Sequence, residues 1–173
     1  MRYCVIDFET TGLDPERDEV VEFAAVRVEY GEPGLHIASL CKPSAPIPPE
    51  ATRVHGITDR MVRFAAPFSD YLPALLDFIG PDTLVGHNLP FDFGFLSAYC
   101  ARAGVAFAPP MLCTLQMARR MFPELPSRAL AAVAAHLGVK NGIWHRALGD
   151  AMATARILIR MLQATGIANH GGP

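Results

Sequence analysis

The chain has 173 residues, about half of them hydrophobic, and a formal charge of −2 at neutral pH. This length suits one domain with a sizeable core, and the absence of any run of like charges argues against a protein that holds duplex nucleic acid by phosphate contacts alone. The four cysteines are far apart, which argues against a zinc ribbon and predicts free thiols in a reducing compartment. No apolar stretch approaches the roughly 20 residues of a membrane span, so we expect a cytoplasmic protein without membrane contact.

The first predicted element is a strand over residues 3–9 that runs directly into Thr10-Thr11-Gly12. Side chains alternate along a strand, so Asp7 and Glu9 point to the same face, and the preceding residues are apolar on both faces, as in a central strand. Burying two carboxylates there costs several kcal/mol unless they are neutralised, and a divalent cation is the simplest partner. The alternative is that the two acids mark the solvated end of the strand.

The next residues predict a three-stranded meander followed by a long connection. Strands are expected over 20–30 and 36–42, with a turn at 31–34 between them. Several prolines from position 43 onward then interrupt regular structure, leaving a connection to residue 67 with one short helix. Connections of this length inside a compact domain are usually functional or mobile.

The second half of the chain predicts helices alternating with short strands. The expected elements are a helix from Ser69, its cap, to residue 79, a strand over 83–86, a helix over 89–103 capped by Asn88, a strand over 111–113, and helices over 114–121, 127–137 and 147–164. Strands joined by crossover helices predict an α/β layer architecture with a mixed sheet. We expect one domain over residues 1–165 and a short flexible tail over 166–173.

Two further acids begin apolar helix faces. Spacings of four, seven and eleven residues lead from Asp92 and from Asp150 to residues typical of a buried face. The alternative is that each acid only complements a helix dipole, worth a few tenths to about 1 kcal/mol. Four inward carboxylates from three segments favour Mg²⁺ or Mn²⁺, and two such ions roughly 4 Å apart are the arrangement that hydrolyses phosphodiesters.

His145 lies five residues before Asp150. Five positions on a helix are about 140° out of register, so a histidine serving the same site must lie on the loop before the helix. Asn141-Gly142 favours such a loop. A histidine there can take the proton of a water near the cations, and the alternative is a capping or surface role.

Together these residues resemble the DEDD superfamily of 3′-to-5′ exonucleases, in the subgroup with a histidine five positions before the last aspartate. The matching segments are residues 7–13, 55–59, 87–92 and 145–151, in the family's order and with similar spacing across residues 2–163. The match is nearer to the proofreading (epsilon) subunits of bacterial DNA polymerase III than to oligoribonucleases.

The resemblance implies a ribonuclease-H-like mixed five-stranded sheet flanked by helices. It also implies that Asp7, Glu9, Asp92 and Asp150 hold two divalent cations, with Asp7 bridging them and His145 acting as the general base. Repeated cleavage at a 3′ end would then release nucleoside 5′-monophosphates.

The resemblance further suggests a nucleotide site. Thr10, Thr11 and Leu13 would lie against the terminal nucleotide, and His55 and Phe91 would line its base pocket. Stacking of a base on such side chains is worth about 1 to 3 kcal/mol. The alternative for Phe91 is simple core packing.

Two departures from the family pattern stand out. Cys113 occupies a position where many relatives carry aspartate, which we expect to alter helix capping and not catalysis. Relatives that bind a polymerase often use a C-terminal extension, and little follows residue 164, which argues against dedicated membership of a replicative polymerase complex.

Three functions compete at this point. The first is a metal-dependent 3′-to-5′ exonuclease acting on single-stranded or frayed DNA ends, the second is an exoribonuclease trimming RNA ends, and the third is a non-catalytic module accessory to a polymerase. The presence of all four acids together with His145 favours an enzyme. DNA is favoured over RNA, while a polymerase partner and a homodimer both stay open.

Overall fold

The computed structural model describes residues 2–140 and 144–166. A five-stranded sheet has the order β3-β2-β1-β4-β5. The strands are β1 Tyr3–Thr10, β2 Val20–Glu29, β3 Glu32–Leu40, β4 Thr83–Gly86 and β5 Met111–Cys113. The pairs β1–β2 and β2–β3 are antiparallel, whereas β1–β4 and β4–β5 are parallel. The predicted mixed sheet, with its antiparallel meander and two parallel strands, is confirmed.

Helices cover both faces of this sheet. They are α1 Pro49–His55, α2 Asp59–Val62, α3 Phe68–Ile79, α4 Leu89–Arg102, α5 Thr114–Met121, α6 Leu130–His136 and α7 Ala147–Ala164. In the part of the chain that the structure describes, none of these helices has the length and apolar character needed to cross a membrane.

The central strand β1 separates two cores. Cys4, Ile6 and Phe8 pack with buried residues of α3 and α4, whereas Tyr3 and Val5 pack with α7. This is the alternation that the sequence predicts. Because Asp7 and Glu9 continue the row that begins with Tyr3 and Val5, they emerge on the face that α7 covers.

Small residues allow α7 to lie close to the sheet. Ala147, Ala151 and Ala155 repeat every four residues, are fully buried, and belong to the core that includes Val5 and Val85. Alanine adds little side-chain thickness between helix and sheet. The first turn of α7 is therefore held beside the end of β1.

A tight turn joins β4 to α4. A Cβ atom at Gly86 would lie 3.2 Å from the Cα atom of Leu89, so a side chain at this position would crowd the backbone. Glycine allows the chain to reverse within three residues. Asn88 is the N-cap residue of α4, as predicted, but it adopts a left-handed conformation with φ of 73° and its side chain makes no capping hydrogen bond. The turn brings the first residues of α4 next to β1.

The sequence placed several element boundaries incorrectly. Tyr30 and Gly31, with φ of 55° and 79°, form the β2–β3 turn, so β3 begins at Glu32 and ends at Leu40. Two positive φ angles match the right-handed twist of a hairpin, which allows this two-residue turn. In the connection that follows, two short helices replace the single expected one.

Two later helices also begin at other residues than predicted. The third helix starts at Phe68 after Pro67, and the Ser69 hydroxyl donates to Asp70 Oδ1 at 3.3 Å instead of capping the helix. The helix expected from residue 127 starts at Leu130, because the Arg128 carbonyl accepts a hydrogen bond from His87 Nε2 at 2.8 Å. Cys113, at the cap position of α5, makes no side-chain cap, as the departure from the family pattern predicted.

Candidate active site

Three of the predicted acids meet at the end of β1. Asp7 and Glu9 come from β1 and Asp150 from the first turn of α7, and each offers a carboxylate oxygen within 4.8 Å of the other two. The strand alternation and the alanine face of α7 together produce this meeting. The alternative that Asp7 and Glu9 only mark a solvated strand end does not account for the carboxylate of Asp150 beside them.

Asp92 approaches the three acids from the opposite layer, close enough for its charge to act on Asp7, but it lies outside the group that meets within 4.8 Å. It lies in the first turn of α4, is 4% exposed, and its Oδ1 accepts the backbone N–H of Phe8 at 2.9 Å. Phe8 lies between Asp7 and Glu9 in β1. Asp92 is therefore anchored to the strand segment that carries the other two acids.

The electrostatics of the cluster follow from burial and like charge. Burial, followed by the charges of Asp92, Asp150 and Glu9, raises the pKa of Asp7 well above its ordinary value. Burial and the charge of Asp150 raise the pKa of Glu9 to about 8, against the lowering effect of Arg146. Burial raises the pKa of Asp92 to about 7, although the Phe8 N–H opposes it.

This donor set fits hard divalent cations. All the ligand atoms are carboxylate oxygens, which Mg²⁺ and Mn²⁺ prefer. Asp7 remains partly exposed, so the cluster opens to solvent. The repulsion among the acids is of the kind that a bound cation removes.

His145 lies on the loop before α7, as its spacing predicted. Its side chain is exposed, and its backbone N–H donates to Asp150 Oδ2 at 3.0 Å. Its φ is 58°, a left-handed conformation for a residue that is not glycine. The predicted turn at Asn141-Gly142 lies outside the described residues.

The end of β1 and the loop after it hold the first three predicted nucleotide contacts. The Thr10 hydroxyl donates to the Gly12 carbonyl at 2.6 Å, and the Thr11 hydroxyl donates to Asp18 Oδ1 at 3.2 Å. These hydroxyls therefore shape the loop itself. Leu13, in contrast, is 83% exposed, so its side chain is available to a ligand.

The two residues predicted to line the base pocket lie in different helices, His55 at the end of α1 and Phe91 in the first turn of α4 beside Asp92. His55 is buried, and its Nδ1 accepts the Ile57 N–H at 3.0 Å, which leaves the ring proton on Nε2. The His55 Nε2 atom has no partner with good hydrogen-bond geometry. Burial lowers the pKa of His55, and the nearby Thr10 carbonyl opposes this lowering. Phe91 is partly buried with its ring 5.2 Å from that of Phe95, so it belongs to the core while keeping an exposed edge.

Sequence reasoning missed two residues of this region, Glu22 and Arg146. Glu22 is the direct partner of Glu9 in the β1–β2 register and is 7% exposed. Its carboxylate forms an ion pair with Arg146 at 2.6 Å. The available signal was a glutamate inside an apolar strand, Val20–Glu29, where a buried charge needs a partner.

The raised pKa values predict how stability changes with pH. Without metal, the folded protein keeps protons on Glu9 and Asp92 up to about pH 8 and about pH 7, whereas the unfolded chain releases them near 4.5 and 3.8. The folded state therefore binds more protons in this interval, so the free energy of unfolding falls as pH rises through it. We expect melting temperatures in chelator to fall between about pH 4.5 and pH 8, and added Mn²⁺ to restore stability most strongly near pH 8.

Two aspartate-to-asparagine variants make this test specific. Asp7→Asn should flatten the pH profile in chelator and weaken the Mn²⁺ effect, whereas Asp77→Asn, at an exposed position of α3, should leave both unchanged. A melting temperature that rises from pH 4.5 to pH 8 in chelator would contradict the assigned electrostatics.

Comparison with known proteins agrees with this geometry. The subunit epsilon of DNA polymerase III from Aquifex aeolicus is 38% identical over 162 residues, which cover 93% of this chain and 80% of that protein. The PolC-type DNA polymerase III of Clostridium perfringens is 36% identical over 156 residues, covering 90% of this chain but 11% of that protein. The chain thus spans most of the first relative and a small part of the second.

Solved structures with a similar fold are also exonucleases. Exonuclease X in complex with 5′ overhanging duplex DNA has a TM-score of 0.75 and 29% identity, covering 95% of this chain and 93% of that chain. Escherichia coli exonuclease I in complex with a dT13 oligonucleotide has a TM-score of 0.84, with 96% of this chain and 42% of that chain covered. At 20% identity, the second likeness shows the shared ribonuclease-H-like fold alone.

A family model described as an exonuclease matches residues 4–158, nearly the whole of the sheet and its helices. The chain therefore belongs to the DEDD family of exonucleases and is a 3′-5′ exonuclease, similar to the epsilon subunit of DNA polymerase III.

Proposed function

We propose that the protein hydrolyses phosphodiester bonds at the 3′ end of single-stranded or frayed DNA and releases nucleoside 5′-monophosphates. The observation that carries this proposal is the meeting of Asp7, Glu9 and Asp150 within 4.8 Å, with His145 bonded through its backbone to Asp150. Acids held this close favour cations over an apolar or sugar ligand. An exposed histidine at their edge supplies a proton acceptor.

Asp7, Glu9, Asp92 and Asp150 would hold two Mg²⁺ or Mn²⁺ ions, with Asp7 shared between them. When bound, such cations withdraw charge from the phosphate and stabilise the oxygen that leaves. The support is the all-oxygen donor set and the raised pKa values of Asp7, Glu9 and Asp92. The elements β1, α4 and α7 fix the distances between these carboxylates.

His145 would act as the general base. His145 is exposed and its backbone is bonded to Asp150, so its ring would be available to take the proton of a water that attacks the phosphate. The bond from the His145 N–H to Asp150 ties the position of the base to that of a proposed metal ligand.

The terminal nucleotide would lie between the loop after β1 and the start of α4. Exposed Leu13 and the open edge of Phe91 provide apolar surfaces for the sugar and base. The Nε2–H of His55 is buried and makes no well-formed hydrogen bond, although the Thr10 carbonyl is near, so it would donate to the nucleotide in preference to that weak contact. Thr10 and Thr11 would act through the shape of their loop.

Several observations support DNA as the polymer. Exonuclease X, at 29% identity, is in complex with DNA, and the relative at 38% identity is a subunit of a DNA polymerase. That relative also supports a polymerase partner and a role in proofreading. The chain's charge of −2 favours short single-stranded or frayed ends over a grip on duplex. Its four cysteines are free, which suits the cytoplasm.

The test is digestion of 5′-labelled single-stranded DNA and RNA of equal sequence in Mg²⁺, Mn²⁺ or chelator. We expect DNA to shorten stepwise from its 3′ end, with nucleoside 5′-monophosphates as products, and no shortening in chelator. Faster digestion of RNA would replace DNA with RNA as the substrate. Shortening that persists in chelator would contradict the metal requirement.

Asp7→Ala should abolish this activity without unfolding the protein. The substitution removes a proposed bridging ligand and also relieves repulsion among the acids, so we expect an unchanged or higher melting temperature. Asp77→Ala is the control and should keep full activity. A fully active Asp7→Ala variant would refute the assignment of the site.

His145→Ala should lower the rate by roughly 10² to 10⁴, the usual contribution of a general base. Because the four carboxylates remain, Mn²⁺ binding measured by calorimetry should stay close to that of the wild type. If Mn²⁺ affinity fell in parallel with the rate, His145 would be a ligand and not the base.

A further inference from the structure

The chain makes a sharp corner where it enters α7. His145 has φ of 58°, Arg146 is extended with φ of −138° and ψ of 123°, and the helix begins at Ala147. A left-handed conformation is unfavourable for a residue with a side chain. Such a corner persists only when neighbouring groups hold it.

Glu22 holds the corner from the strand side. Its Oε1 accepts from Arg146 Nη2 at 2.6 Å and Nε at 3.1 Å, and its Oε2 accepts from Arg146 Nε at 3.0 Å and from the Ala147 N–H at 2.9 Å. The pair is bidentate, and the Glu22 side chain is almost wholly buried. A buried carboxylate of this kind needs its partners in place.

Asp150 holds the same corner from the helix side, through the His145 N–H at 3.0 Å. The backbone of residues 145–147 is therefore fixed between two carboxylates. The one on Asp150 belongs to the acid cluster. The one on Glu22 lies outside the group formed by Asp7, Glu9 and Asp150, and both of its oxygens already accept hydrogen bonds.

We propose that Glu22 and Arg146 are positioning residues for His145. Their ion pair fixes the entry to α7 so that the His145 ring stays at the edge of the acid cluster. This inference rests on the proposed role of His145 as the general base. It assigns to Glu22 a task different from that of Glu9, although the two are direct neighbours in the sheet.

A double-mutant cycle tests the proposal. Single-turnover rates are measured for the wild type, Glu22→Gln, His145→Ala and the double variant, with saturating Mn²⁺ and single-stranded DNA. Glutamine keeps the size of the side chain but removes the charge that pairs with Arg146. We expect Glu22→Gln to lower the rate about 10- to 100-fold in the wild type and by less than about 2-fold when His145 is already alanine.

Two further measurements distinguish a positioning role from a general structural effect of the substitution. The KM for DNA and the Mn²⁺ affinity of Glu22→Gln should change much less than the rate, because the hydrogen bonds of the Glu22 carboxylate go to Arg146 and Ala147. The Glu22 charge acts on Asp7 and Glu9 only as a smaller cause, after burial and the charge of Asp150. The matched control is Glu29→Gln, the same change on the same strand, where the partner is Arg2 at 4.0 Å. It should leave the rate unchanged.

The outcomes are distinct. An equal loss of rate from Glu22→Gln in both backgrounds would overturn the proposal while leaving His145 as the base. A wild-type rate for His145→Ala would instead refute the general-base role of His145 in the proposed function, on which this inference rests. If circular dichroism shows that Glu22→Gln does not fold, Arg146→Lys enters the same cycle, because it leaves the Glu22 carboxylate on the Ala147 N–H. Equal effects of Arg146→Lys in both backgrounds would again overturn the proposal.

Discussion

Repulsion among buried carboxylates is the constraint on which this structure depends. Strand β1 and the first turns of α4 and α7 hold Asp7, Glu9, Asp92 and Asp150 near one another. Burial raises the pKa values of Asp7, Glu9 and Asp92, and the charges of neighbouring acids raise those of Asp7 and Glu9 further. The two apolar cores on either side of β1 supply the free energy that keeps them there. The fold thus maintains a site that is unfavourable until cations bind.

Glu9 and Glu22 show how position decides the task of a residue type. They face each other across β1 and β2, yet Glu22 has its charge balanced by Arg146 and the Ala147 N–H, whereas Glu9 faces other acids. A satisfied carboxylate supports backbone geometry. An unsatisfied one favours a cation. The same end of the sheet therefore contains a structural acid and a proposed ligand side by side.

Local periodicity explains what the sequence could predict. Alternation along β1 placed Asp7 and Glu9 on one face, helix spacing placed Asp92 and Asp150 inward, and the mixed sheet followed from the order of elements. The Glu22–Arg146 pair joins residues 124 positions apart, so no local pattern indicates it. The start of the helix at Leu130 depends on the bond from His87 to Arg128, which is also a tertiary contact.

The alanine face of α7 has a geometric consequence for the whole site. Ala147, Ala151 and Ala155 act as a spacer of fixed thickness between the helix axis and the sheet, and Asp150 is carried on the same turn. The gap across which Asp150 faces Asp7 and Glu9 is thus set by methyl groups that take no part in chemistry. In this enzyme, the smallest side chains of the core therefore fix the distance between the Asp150 carboxylate and those of β1.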